Sequence, residues 1–314
     1  MMRINIDSTP SSLKSFLNEL PKVDQVGAAA RAAMLATRSI KNDSKKKAID
    51  LAISMVDLTT LEGSDTPGKI KSLVTKALHP DPSNPDVPHV GAVCVYNDMV
   101  SIARAELDRI GGQSIPVAAV STAFPSGRAS MAVKIQDTQD AIAAGASEID
   151  MVIDRGAFLS GDYKLVFDEI VAIKDICGQK AHLKVILETG ELVTLDNVRK
   201  ASYLAMAAGA DFIKTSTGKI SPAATPPVVL VMLEAVRDFY NTHGIQVGVK
   251  PAGGIRTTKD AIRQLVFVKE TAGDLWLDPR FFRIGASALL NDLLMQRMKL
   301  QTGYYAGRNY VTID

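Results

Sequence analysis

The sequence has two cysteines, Cys94 and Cys177, and no Cys-x-x-Cys pair. That excludes a disulfide framework and a thiol-rich zinc site. The four histidines, His79, His89, His182 and His243, are scattered without metal-ligand spacing, so neither a metal nor another cofactor is expected. An excess of one charge is also missing: 36 basic residues face 34 acidic ones, a formal charge of +2. A dedicated nucleic-acid or membrane-surface binder would carry a large basic excess. Neither is an expected partner, and any anion must be held by a local site. No run approaches the ~18 apolar residues of a membrane span, and the N-terminus lacks the roughly 7–15-residue apolar core of a secretory signal. The expectation is a soluble cytoplasmic protein. Aromatic residues are only 5 %, while hydrophobic residues reach 46 %. A core of Ala, Val, Ile and Leu suits a barrel whose interior is layers of branched side chains.

The 314 residues exceed the ~250 of a (β/α)₈ barrel by an amount that fits a small addition. The first fifty residues read as helices, with apolar residues at helical spacing over 11–20 and 26–37. The run KNDSKKK reads as a solvated helix face. From Met55 on, short apolar runs alternate with amphipathic stretches. Strands are predicted at 55–58, 92–96, 117–121, 148–153, 183–188, 211–215, 246–249 and 282–285. Helices are predicted at 67–78, 100–110, 133–144, 165–176, 195–208, 226–240, 259–269 and 286–300. Eight such repeats favour a closed (β/α)₈ TIM barrel over an open doubly wound sheet. The expected organisation is an N-terminal helical extension at 1–50, a catalytic barrel at 51–300 and a C-terminal tail at 301–314. The Pro-rich stretch 80–88 falls inside the first helix-to-strand connection and reads as a loop.

Barrel active sites lie at the C-terminal ends of the strands. Asp57, Asp150, Glu188, Lys214 and Lys250 fall in or near those ends. Burying an unpaired charge is costly, so packing alone explains them poorly. Lys214, in FIKTSTGK, reads as an amine nucleophile, with a structural ion pair as the alternative. A free lysine has a pKa of ~10.4 and becomes nucleophilic when desolvated or placed near another cation. Lys250 is the candidate cation. Two unit charges ~4 Å apart at an effective dielectric of ~20 repel by ~4 kcal/mol, roughly three pKa units; at ~8 Å the effect halves. The reading therefore requires the two amines to be close. Asp150 would hold Lys250 protonated and relay protons, or be an ion-pair partner only.

A second group resembles a phosphate site. Thr217, Gly218 and Lys219 follow the sixth strand, Gly253 and Gly254 the seventh, and Gly285 and Ser287 join the eighth to its helix. Glycines let backbone N–H groups approach an anion, and a helix N-terminus adds a favourable dipole. Lys219 and Arg256 would supply charge.

The segments MVDLTTL, GAVCVY, EIDMVID, VILETGEL, ADFIKTSTGK, GVKPAGGIRT and RIGASALL resemble those of the deoxyribose-phosphate aldolase family. They run from about residue 55 to residue 290. The resemblance implies a cofactor-free class I aldolase that cleaves 2-deoxy-D-ribose 5-phosphate reversibly to D-glyceraldehyde 3-phosphate and acetaldehyde. It makes Lys214 the Schiff-base lysine, Lys250 its pKa-lowering neighbour and Asp150 the proton-relay aspartate. It also matches Gly218, Lys219, Gly253, Gly254, Gly285 and Ser287 to the phosphate loops, and Asp57 and Cys94 to positions near the pocket. A sugar phosphate is the expected partner, and self-association as a dimer or tetramer is allowed. The helical extension resembles the longer, eukaryote-like branch. Some family members end in a mobile tail whose terminal tyrosine assists proton transfer, whereas here Tyr310 stands four residues before the end. Rival readings are another Schiff-base sugar-phosphate enzyme, such as a transaldolase, and a barrel that binds sugar phosphate without catalysis.

Overall fold

The computed structural model describes residues 3–304 and Gly307. Tyr310 and most of the 301–314 segment lie outside the described residues. Three helices come first: α1 (Pro10–Glu19), α2 (Gln25–Leu35) and α3 (Asn42–Ser54). Then strands and helices alternate: β1 (Val56–Thr59), α4 (Pro67–Leu78), β2 (Ala92–Val95), α5 (Val100–Ile110), β3 (Val117–Ser121), α6 (Met131–Ala143) and β4 (Glu148–Val152). Next come α7 (Arg155–Ser160), α8 (Tyr163–Cys177), β5 (His182–Ile186), α9 (Leu195–Ala207), β6 (Phe212–Lys214) and α10 (Pro226–His243). The chain closes with β7 (Gly248–Lys250), α11 (Thr258–Thr271), β8 (Ile284–Ala286) and α12 (Leu289–Thr302). All strand pairs are parallel, in the order β7-β6-β5-β4-β3-β2-β1-β8. The two ends meet. Val249 N–H donates to Phe281 O at 2.9 Å, and Gly285 N–H donates to Pro251 O at 2.9 Å. An open sheet leaves its outer strands unpaired; here the ring of strands is closed into a barrel.

Local chemistry sets the helix starts. Pro67 opens α4, and the Thr66 hydroxyl accepts from Lys69 N–H. Thr257 and Asp260 form a reciprocal capping box at α11. Helix α7 has no counterpart in the periodicity. It is six residues long, too short for a face to repeat, and rests on the Asp154 cap. The strand ends also differ from expectation by one or two residues. Asp57 and Lys250 stand within β1 and β7, and Glu188 lies beyond β5 in a left-handed conformation, with φ of 52°.

The branched side chains do not fill the lumen. Val56, Leu58, Val93, Val95, Ile149 and Met151 belong to one continuous cluster with the helices. Their alternates Asp57, Cys94 and Asp150 are equally buried but stand outside that cluster. With a side-chain period of two, the aliphatic alternates pack on the helices, and the inward alternates are charged on β1, β4, β5, β6 and β7 but apolar on β2 and β3, where Cys94, Ala118 and Val120 form a small cluster of their own.

Helices α1–α3 pack on the outer helices of the barrel. Leu13 and Leu17 are fully buried. Buried Glu234 on α10 pairs with Arg31 of α2 and with Arg199 of α9, the latter at 2.9 Å. Lys46 and Lys47, from the basic run, are exposed, as a solvated helix face requires.

Candidate active site

Parallel register places the inward charges side by side. Lys214 is level with Lys250, and Asp150 is level with Lys184. Phe212, one turn of the strand below Lys214, fills the lumen because Gly248 opposite it has no Cβ to collide with the ring. Above that floor the charges form a closed ring. Lys214 Nζ donates to Asp150 Oδ2 at 2.7 Å, and Lys250 Nζ donates to the same oxygen at 2.8 Å. Lys250 Nζ also lies 2.5 Å from Asp57 Oδ2. Asp57 Oδ1 accepts from Arg283 Nη1 at 2.7 Å, and Arg283 Nη2 reaches Glu148 Oε1 at 3.2 Å. Glu148 pairs with Lys184, whose Nζ returns to Asp150 Oδ1 at 3.6 Å.

The ring is buried. Asp57, Asp150, Lys184 and Lys250 are all 0 % exposed, and Lys214 is 2 % exposed. Burial alone would raise the Asp150 carboxyl; the charges of Lys214, Lys250 and Lys184 outweigh it and hold Asp150 well below the usual carboxylate range. Burial likewise works against ionised Asp57, and Lys250 and Arg283 hold it down. For Lys250, burial favours the neutral amine, but Asp150 and Asp57 push its pKa well above the ordinary lysine value. A permanent cation therefore stands beside Lys214. Because both amines touch one oxygen, they are no farther apart than the sum of those two contacts, inside the ~8 Å limit at which their repulsion would halve.

Acid should weaken this ring in a defined direction. Asp57 has a folded pKa below its unfolded one, so its contribution to stability is present above ~3.9 and fades as pH falls toward the folded value. The stability difference between the parent and an Asp57→Asn variant should be largest near neutrality and shrink below about pH 4. Urea melts at several pH values would check this; a difference that grows on acidification would contradict it.

Over the ring lies a cavity of about 390 Å³, lined by Lys214, by the β1–α4 loop and by the three loops that follow β6, β7 and β8. Thr217, Gly218 and Lys219 come from the loop after β6, Gly253, Gly254 and Arg256 from the loop after β7, and Gly285 and Ser287 from the β8–α12 junction. Gly253 has φ of +83°, and a Cβ there would meet Ala223 Cβ at 2.7 Å, so the turn needs glycine. Gly285 leaves room for Lys250, whose Cε would lie 3.3 Å from an added Cβ. Glu188 is a brace beneath the β6 loop: its carboxylate accepts from the Thr217 hydroxyl at 2.5 Å and from the Thr217 N–H at 3.3 Å.

Asp57 and Cys94 do not reach the cavity wall. Both are fully buried beneath its floor, with Cys94 Sγ 3.9 Å from Asp150 Oδ2. Burial pushes the Cys94 thiol up, toward its neutral form. Three members of the ring were not singled out from the sequence: Glu148, Lys184 and Arg283. The signal for Lys184 was present, a lysine in the middle of the apolar strand HLKVI.

A model of the DeoC/LacD family of aldolases matches residues 48–309. The deoxyribose-phosphate aldolase of Mus musculus is 46 % identical over 279 residues, 86 % of this chain and 87 % of the relative. That of Homo sapiens is also 46 % identical over 279 residues, with the same coverage. Among solved structures, the aldolase QR15 aligns with a TM-score of 0.62 at 27 % identity, covering 79 % of this chain and 97 % of that one. The tetrameric deoxyribose phosphate aldolase of Aeropyrum pernix aligns at 0.63 and 23 % identity, covering 88 % of this chain and 99 % of that one. At that identity it speaks for the fold alone.

Proposed function

The chain belongs to the DeoC/LacD family of aldolases, and on that premise we propose that it cleaves 2-deoxy-D-ribose 5-phosphate reversibly to D-glyceraldehyde 3-phosphate and acetaldehyde through a Schiff base on Lys214. The observation that carries this reading is the shared oxygen. One buried carboxylate oxygen of Asp150 holds both Lys214, which opens onto the cavity, and Lys250, which does not. The ring contains four basic and three acidic side chains, so full ionisation leaves one uncompensated positive charge in a buried site. Lys214 is the ring amine that a substrate in the cavity can reach.

Neutral Lys214 attacks the C1 carbonyl carbon of the open-chain sugar. The carbinolamine loses water to give an iminium. A base takes the proton of the C3 hydroxyl, the C2–C3 bond breaks, and its electron pair flows to the iminium nitrogen. Glyceraldehyde 3-phosphate leaves, and an enamine of acetaldehyde remains on Lys214. The proton taken from the C3 hydroxyl is relayed through Asp150, beside Lys250, to the enamine carbon, directly or through a water. Hydrolysis of the resulting iminium frees acetaldehyde and the amine. The loops carrying Gly218, Lys219, Gly253, Gly254, Arg256, Gly285 and Ser287 hold the phosphate and so orient the reacting carbons. Asp57 acts from below by fixing Lys250, with Cys94 beside Asp150.

The same reading assigns the protein to the cytoplasm, in keeping with two free, buried cysteines. No helix among the described residues is long and apolar enough to cross a membrane.

A screen across sugar phosphates tests the substrate. Formation of glyceraldehyde 3-phosphate from 2-deoxy-D-ribose 5-phosphate is expected; turnover of longer ketose phosphates in its place would move the chain to a transaldolase-like reaction. Because the iminium supplies the electron withdrawal, exhaustive chelation is expected to leave the rate within about twofold of its starting value. Loss of activity restored by a divalent metal would contradict the Schiff-base route.

A further inference from the structure

Besides Lys214, three cationic side chains line the cavity: Lys69, Lys219 and Arg256. Two of them are already engaged by carboxylates from the β1–α4 loop. Lys69 Nζ lies 2.6 Å from Asp65 Oδ1, and Lys219 Nζ lies 2.9 Å from Glu62 Oε1. Among the described residues no carboxylate lies against the Arg256 guanidinium.

The two pairs differ. Asp65 is built into its loop: its carboxylate accepts from the Thr60 hydroxyl at 2.8 Å and from Glu62 N–H at 3.0 Å. Its side chain is 3 % exposed. It braces the loop and cannot leave without dismantling it. Glu62, presented by that braced loop, is 62 % exposed, and among the described residues its carboxylate bonds to Lys219 alone, 157 residues away in the loop after β6. Rotation of one side chain into solvent releases it.

Resting on the reading of these loops as the phosphate site, we propose that Glu62 is a specificity-determining residue that competes with the substrate's phosphate for Lys219. A phosphate dianion and the Glu62 carboxylate cannot both sit against one ammonium without like-charge repulsion. The phosphate must therefore displace Glu62, and Arg256 is the cation that meets it first. An exposed ion pair of this kind is worth at most about a fivefold change in an equilibrium. The latch thus tunes phosphate affinity without blocking it, weakens retention of phosphorylated product and of inorganic phosphate, and leaves non-phosphorylated sugars indifferent to it.

The test uses the full chain and the variants Glu62→Gln, Lys219→Met and their combination. Readouts are the inhibition constant of inorganic phosphate and the ratio of KM for 2-deoxyribose 5-phosphate to KM for 2-deoxyribose. Glu62→Gln is expected to lower both by about three- to fivefold. Lys219→Met is expected to raise the inhibition constant by about tenfold, and in its presence the effect of Glu62→Gln should vanish. If Lys219→Met weakens phosphate while Glu62→Gln leaves it unchanged or weaker, the latch is wrong and the phosphate site stands. If Lys219→Met leaves phosphate inhibition unaltered, Lys219 is no phosphate ligand and both readings fall.

Discussion

Replacing Lys214 with methionine is expected to lower kcat/KM by roughly 10⁴-fold or more, the scale seen when a covalent nucleophile is removed, while the protein remains folded. Both halves follow from the ring. The amine is the group that opens onto the cavity from beneath the three loops, and no other lysine of the ring lines that cavity. Asp150 keeps Lys250 at 2.8 Å and Lys184 at 3.6 Å after the change. The variant ring would hold three basic and three acidic groups, and a balanced buried cluster is cheaper than one with an odd charge. Urea unfolding should therefore shift by no more than about 1 kcal/mol, or rise in stability. Residual activity within tenfold of the parent, in a folded variant, would remove Lys214 from the chemistry.

Lys250→Leu should do the opposite to stability. Lys250 has two carboxylate partners, Asp150 and Asp57, and is 0 % exposed. Removing one member of a buried pair leaves an uncompensated charge and typically costs about 3–5 kcal/mol. The acid limb of the stability curve should also move. Asp57 and Asp150 owe their depressed values partly to Lys250. Without it their folded values rise, so the stability they contribute above ~3.9 is smaller and is lost at higher pH on acidification. Activity should fall by about 10²-fold or more at neutral pH, and the pH–rate profile should change, because the fixed cation that shares the Asp150 oxygen with Lys214 is gone. Lys250→Arg, which keeps the charge, should retain stability better than Lys250→Leu and separate charge from packing. A Lys250→Leu enzyme with the parent's pH–rate profile would show that proximity of the two amines plays no part.

The barrel was legible in the sequence because eight apolar runs alternate with eight amphipathic ones, and α4 and α5 fall at the residues their periodicity marks. Strand ends were less legible. Strands β6, β7 and β8 are three residues each, and the paired segment is set by neighbours that a single strand does not reveal. The character of the lumen was misread for a related reason. Apolar residues announce burial but not which side they are buried on, and only pairing shows that Ile149 faces helices while Asp150 faces the axis. Lys214, Lys250 and Asp150 could be picked out as charges in or beside short apolar strands. Arg283 could not, because it stands just before β8 and its partners Asp57 and Glu148 are 226 and 135 residues away. The Glu62–Lys219 contact was invisible for the same reason, being made by loops three places apart around the ring of strands.

The central claim is the covalent one, and reductive trapping addresses it directly. The protein would be incubated with acetaldehyde, reduced with borohydride, digested and analysed by mass spectrometry. The account predicts one added ethyl group per chain, on the peptide carrying Lys214, and no trapping in Lys214→Met. Label on Lys250 or Lys219 in place of Lys214, or no label from an active enzyme, would contradict it.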